Sequence, residues 1–68
     1  MQIRPKQLVA ALKRLGFYEV RQRGSHLQLK RGNLAVTVPI HSGDLSSGVL
    51  RSVLRQARLT VDELKEAL

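Results

Sequence analysis

The chain has 68 residues, no cysteine, and twelve Lys and Arg against five Asp and Glu, a net charge of +7. One domain spanning 1–68 with a thin core is all that length allows, and the missing thiols exclude disulfides, a thiolate metal site and a cysteine nucleophile. Eleven of the basic but only two of the acidic residues lie in 1–58, a field that draws polyanions, with nucleic acid the first partner to consider and an acidic protein the second.

The elements follow in chain order. Pro5 suits the first position of a helix, and Leu8, Ala11, Leu12 and Leu15 recur at helical spacing as one apolar stripe. Gly16 fits the left-handed residue that ends such a helix, and Phe17 then folds back onto Leu12. Three strands are expected near 17–23, 26–31 and 34–39, joined by two-residue turns at Gly24-Ser25 and Gly32-Asn33. The second turn pairs Arg31 with Leu34, Leu29 with Val36 and Leu27 with Val38, so apolar meets apolar on one face. The first turn, continued without interruption, pairs Val20 with Leu29, adding Val20 to that buried face, and Tyr18 with Arg31. The opposite face then carries Glu19 across from Lys30, Arg21 across from Gln28, and Arg23 across from His26.

Beyond Pro39, residues 40–45 form a loop. Ser46 or Ser47 caps a second helix reaching about Arg58, with Leu50, Val53, Leu54 and Ala57 inward and Arg51, Arg55 and Arg58 on another face. Thr60 and Glu63 make a capping box, with Leu59 and Leu64 as its hydrophobic staple, so a short third helix runs from Val61 to about Ala67. The predicted fold is α+β, an α-β-β-β-α(-α) two-layer sandwich with a three-stranded antiparallel sheet. No apolar run approaches the ~18 residues of a membrane span, and the N-terminus lacks the apolar core of a secretion signal. A soluble, cytoplasmic protein with no membrane partner is the expectation.

His26 is the residue best placed for chemistry. Histidine, with an ordinary pKa of about 6.5, can take the proton of a 2′-hydroxyl or protonate a leaving oxygen. Gly24 would admit a phosphate close to the backbone, Ser25 could donate a hydrogen bond, and Arg23 could steady charge on the phosphate. The bland alternative is a surface histidine at the end of a hairpin. His41, two residues past Pro39, could assist as a second acid or base; the simpler reading is a loop histidine bonded to its own backbone. Arg21, Arg23 and Lys30 share the face of His26 and are candidate phosphate contacts. Arg51 and Arg55 are further candidates, although a helical arginine stripe is more commonly a solvated face. No Ser–His–Asp arrangement makes Ser25 a nucleophile. Two histidines and one loop acid, Asp44, give too few ligands for a metal, and no cofactor is expected.

The stretch from Gly16-Phe17 to Gly24-Ser25-His26, then Val38-Pro39-Ile40-His41, Gly48-Val49-Leu50-Arg51-Ser52-Val53-Leu54 and Gln56-Ala57-Arg58-Leu59-Thr60 resembles the HicA toxin family. It departs from many relatives in Leu27-Gln28-Leu29 after the histidine and in the tight second hairpin. The resemblance implies a fold like that of double-stranded-RNA-binding domains. It also implies an endoribonuclease that cleaves mRNA, with a HicB-type antitoxin as partner and His26 as the catalytic residue. Read from residues alone, a non-catalytic RNA-binding module with the same basic surface, or a domain that docks an acidic protein, stays open.

Overall fold

The computed structural model describes residues 2–68. Its elements are α1 (Pro5–Arg14), β1 (Tyr18–Arg23), β2 (His26–Arg31), β3 (Leu34–Pro39), α2 (Ser47–Ala57) and α3 (Val61–Ala67). The strands form one antiparallel sheet in the order β1-β2-β3. The α+β order is the one expected, and the element ends fall within a residue of the expected positions.

Helix α1 stops where Gly16 turns left-handed (φ 100°). Gly16 N–H donates to the Lys13 carbonyl at 3.0 Å and Phe17 N–H to the Leu12 carbonyl at 2.9 Å, the paired bonds of a Schellman ending. Phe17 and Leu12 are both buried. Arg31 locks this corner to the sheet. Its Nη1 donates to the Leu15 carbonyl at 2.6 Å, and its guanidinium lies 4.8 Å from the Phe17 ring centroid. Arg31 therefore joins the end of β2 to the end of α1.

The β2–β3 register is the predicted one, with Leu27 opposite Val38, Leu29 opposite Val36 and Arg31 opposite Leu34. In β1 the prediction holds at Arg23↔His26 and Arg21↔Gln28 and then fails. A bulge lies between Glu19 and Arg21, so Glu19 partners Leu29 and Tyr18 partners Lys30. Val20 does not join the core but is 45% exposed. Tyr18 does not face Arg31, and Glu19 leaves the outer face to pair with Lys13 of α1. The cause is a parity conflict. Side chains alternate along a strand, so Phe17 cannot point inward while Arg21 and Arg23 point outward unless one extra residue intervenes. Val20 is that residue, and Phe17 takes the buried place.

Leu8 and Leu12 of α1, Leu27 and Leu29 of β2, Val36 and Val38 of β3, and the stripe of α2 meet in one apolar cluster. Among the described residues no polar or charged side chain is buried, so any chemistry belongs to the surface. Helix α2 starts with the Ser46 hydroxyl accepting from Val49 N–H. It also guards an edge, since Gln56 Oε1 accepts the Thr37 N–H of β3 at 3.0 Å, while Pro39 has no N–H to offer. Strand β1 is exposed along its whole length. Helix α3 begins with the expected capping box and inserts Leu64 into the core. The Thr60 N–H and hydroxyl hold the Glu63 carboxyl below the usual range. Arg14 Nη1 closes the helical layer by donating to the Ala67 carbonyl at 2.7 Å.

Candidate active site on the outer face of the sheet

Two glycine turns set the site. Gly24 and Gly32 have φ of 54° and 57°, whereas Ser25 and Asn33 do not enter the left-handed region. Glycine first and an ordinary residue second is the pattern of a type II′ hairpin, whose twist matches the strands it joins. The first of these turns places Arg23 directly across from His26, with Cβ atoms on the order of 5 Å apart. Ser25 is anchored from the other side, because Ile40 N–H donates to its carbonyl. The Gly24-Ser25 turn is therefore bonded to the chain as it leaves β3. A methyl group added at Gly24 would meet nothing within 4 Å, so the backbone there is open to an approaching ligand.

His26 is exposed, and Gln28 and Lys30, which follow it at alternate positions of β2, continue its face away from the helices. Across the rungs stand Arg23, Arg21 and Tyr18. Arg21 Nε donates to Gln28 Oε1 at 3.0 Å, which steadies one guanidinium on the sheet surface. The bulge decides the electrostatics. Without it Glu19 would sit opposite Lys30; with it the outer positions of β1 and β2 are Tyr18, Arg21, Arg23, His26, Gln28 and Lys30, with no carboxylate. Sequence reasoning missed Tyr18 on this face. The signal lay in the demand that Phe17 be buried, which turns its neighbour outward.

The other expected residues divide by position. His41 lies beyond the end of β3, with ring Nδ1 2.8 Å from the Ser42 carbonyl. That bond is the loop reading, and it leaves Nε2 as the nitrogen free for a ligand. Arg51 and Arg55 are exposed on α2, whose apolar stripe packs onto the inner side of the sheet. They do not share the surface of His26. Among the described residues no group of three or more His, Asp or Glu side chains could hold a metal ion. Among them, too, no helix is long and apolar enough to cross a membrane.

A family model for the HicA toxin of bacterial toxin-antitoxin systems matches residues 5–59. The chain belongs to the HicA toxin family. The match runs from the first residue of α1 through the sheet to the residues that end α2, so His26, its turn and His41 all lie within the HicA segment, while α3 lies outside it. Membership makes this chain the toxin half of a HicA pair and implies an antitoxin as its partner. Among curated proteins, none matches the chain.

Proposed function

We propose that this HicA-family toxin is an endoribonuclease that cleaves mRNA with His26 as its acid/base group and without a metal ion. The observation that carries the reading is the carboxylate-free basic face on which Arg23 and His26 stand directly opposite one another beside an open glycine turn. The α-β-β-β-α order, shared with double-stranded-RNA-binding domains, supports RNA as the substrate. An RNA strand lying on this face meets phosphate contacts from Arg21, Arg23 and Lys30, the open backbone of Gly24, and Ser25 in the same turn. Tyr18, 57% exposed, offers a ring on which a base can stack.

In the reaction, imidazole of His26 takes the proton of a ribose 2′-hydroxyl as that oxygen attacks the adjacent phosphorus. The bond from phosphorus to the 5′-oxygen breaks, and that oxygen takes the proton back from His26, leaving a 2′,3′-cyclic phosphate and a 5′-hydroxyl. Arg23 stabilises the extra negative charge on the phosphate in the transition state. Proton transfer of this kind contributes about 100- to 10,000-fold. A HicB-type antitoxin in the cytoplasm silences the toxin by covering the His26 face, where its acidic groups meet Arg21 and Arg23.

The test is cleavage of a largely unstructured RNA by purified protein in excess EDTA, beside His26→Ala with an unchanged melting temperature. Loss of cleavage by about 100-fold or more in the variant, with cyclic phosphate ends from the native protein, is the expected result. Equal cleavage by both proteins would remove His26 from the mechanism. RNA binding without cleavage by either would make the protein a binding module.

A further inference from the structure

Off the end of the sheet, next to the His26 turn, lies a second basic feature that the reading above does not use. Arg4 and Lys6, at the start of α1, and His41, in the loop after β3, line one cavity of about 220 Å³ with Pro5, Ile40, Ser42 and Gly43 on its walls. The three cationic or cationisable side chains come from two segments far apart in sequence. No acidic residue lines the cavity. The His41 Nδ1 is held by the Ser42 carbonyl at 2.8 Å, which leaves Nε2 as the ring nitrogen for a ligand. The Arg4 backbone is fixed by its N–H, which donates to Gln7 Oε1 at 2.9 Å, and the residue is exposed.

Position ties this cavity to the candidate active site. His26 is opposite Pro39, and the Ile40 N–H bonded to the Ser25 carbonyl carries the chain straight from that rung to His41. Two residues of chain span at most about 7 Å, so His41 lies within that reach of Pro39, the rung partner of His26. That is the scale of neighbouring groups along one nucleic-acid strand.

We propose that this cavity is a phosphate subsite, in which Arg4, Lys6 and His41 hold the phosphate next to the one cleaved at His26. The inference rests on the ribonuclease reading of His26. The strand leaves the outer face of the sheet at the Gly24-Ser25 turn and bends around the sheet end toward α1. Two phosphates held on either side of the turn fix which bond lies beside His26. An anion is the fitting ligand because the walls offer donors and positive charge and no carboxylate. RNA is favoured over an acidic protein segment because the cavity adjoins the reacting group, where the next phosphate of a bound substrate must lie.

The test uses short DNA strands carrying a single ribose, so that one bond alone can be cut. The phosphates on either side of that bond are replaced, one at a time, by uncharged methylphosphonate. The same series is made with 2′-O-methyl at the ribose, which allows binding to be read without cleavage. For the native protein, one of the two flanking replacements is expected to raise KM and the dissociation constant roughly five- to tenfold, as a charge-assisted contact is lost. Arg4→Gln/Lys6→Gln is expected to show that penalty already, to gain no further penalty from the same replacement, and to keep kcat within about twofold. Its binding should also lose about 0.7 of salt slope per phosphate contact.

Penalties that add in full would overturn the proposal, since they mean that the side chains and the phosphate do not meet. Variants that bind RNA like the native protein but dissociate from the antitoxin would overturn it in favour of a protein contact. If the native protein fails to cut any strand, the ribonuclease reading falls, and the uncleavable series still decides whether the cavity takes a phosphate.

Discussion

Tyr18 and His26 stand at opposite ends of one face, because Tyr18 pairs with Lys30, four residues from His26 along β2. A tyrosine with 57% of its surface open contributes nothing to the core and leaves its ring free for a base. Stacking of one base on an aromatic ring is worth about 1–3 kcal/mol by alanine substitution. Tyr18→Ala should therefore weaken binding of single-stranded RNA by about 5- to 150-fold, with melting temperature unchanged, and Tyr18→Phe should bind like the native protein. Fluorescence anisotropy with a labelled oligonucleotide checks both. A Phe variant as weak as the Ala variant would mean that the hydroxyl, not the ring, makes the contact. At this scale the sequence was legible for His26 and Arg23, because a two-residue turn dictates that its flanking residues face each other. It was not legible for Tyr18, whose facing depends on a register change two residues away.

Strand β1 shows how local signals can conflict. The ending of α1 demands that Phe17 fold inward onto Leu12, and the basic outer face demands that Arg21 and Arg23 point away. Both expectations are right in the structure, and strict alternation cannot satisfy both. The bulge at Val20 resolves them by giving up the burial of a valine for that of a phenylalanine, the larger apolar surface. Val20→Lys should then change stability by no more than about 0.5 kcal/mol, as exposed positions do. Leu29→Ala, at a fully buried position, should cost about 2–5 kcal/mol. Urea denaturation of both variants measures the contrast. A loss of several kcal/mol for Val20→Lys would restore the uninterrupted register. The helices posed no such conflict, since their caps and stripes depend on residues within a turn or two. Ser46, Thr60 and Glu63 all act as their spacing predicts.

Charge is distributed over the whole molecule on two layers. Arg21, Arg23 and Lys30 lie on the outer sheet face with His26, while Arg51 and Arg55 project from α2 on the layer that covers the inner face. A strand bound across His26 reaches the first set directly. Arg21→Gln/Arg23→Gln should lower RNA affinity at least tenfold and flatten the dependence on salt by about 0.7 per lost phosphate contact. Arg51→Gln/Arg55→Gln should change affinity by less than about threefold, the part due to long-range attraction alone. Titrations between about 50 and 200 mM salt, over which several phosphate contacts change affinity by orders of magnitude, separate the two. Equal losses would mean that RNA wraps around the β3 edge to reach α2.

The sequence by itself determined the order and ends of the elements, the β2–β3 pairing, the helix caps and the place of His26 beside Arg23. Each of these follows from interactions within a few residues or from alternation between two turns of known length. Only the tertiary structure decided which side chains gather from distant segments. Burial of Phe17 under α1 forced the bulge, moved Glu19 to Lys13 and cleared the outer face of carboxylate. Packing of α2 carried Arg51 and Arg55 to the other layer and set Gln56 on the edge of β3. The loop after β3 brought His41 to Arg4 and Lys6. None of these juxtapositions has a periodicity to read, because each is set by the fit of the core and not by spacing along the chain.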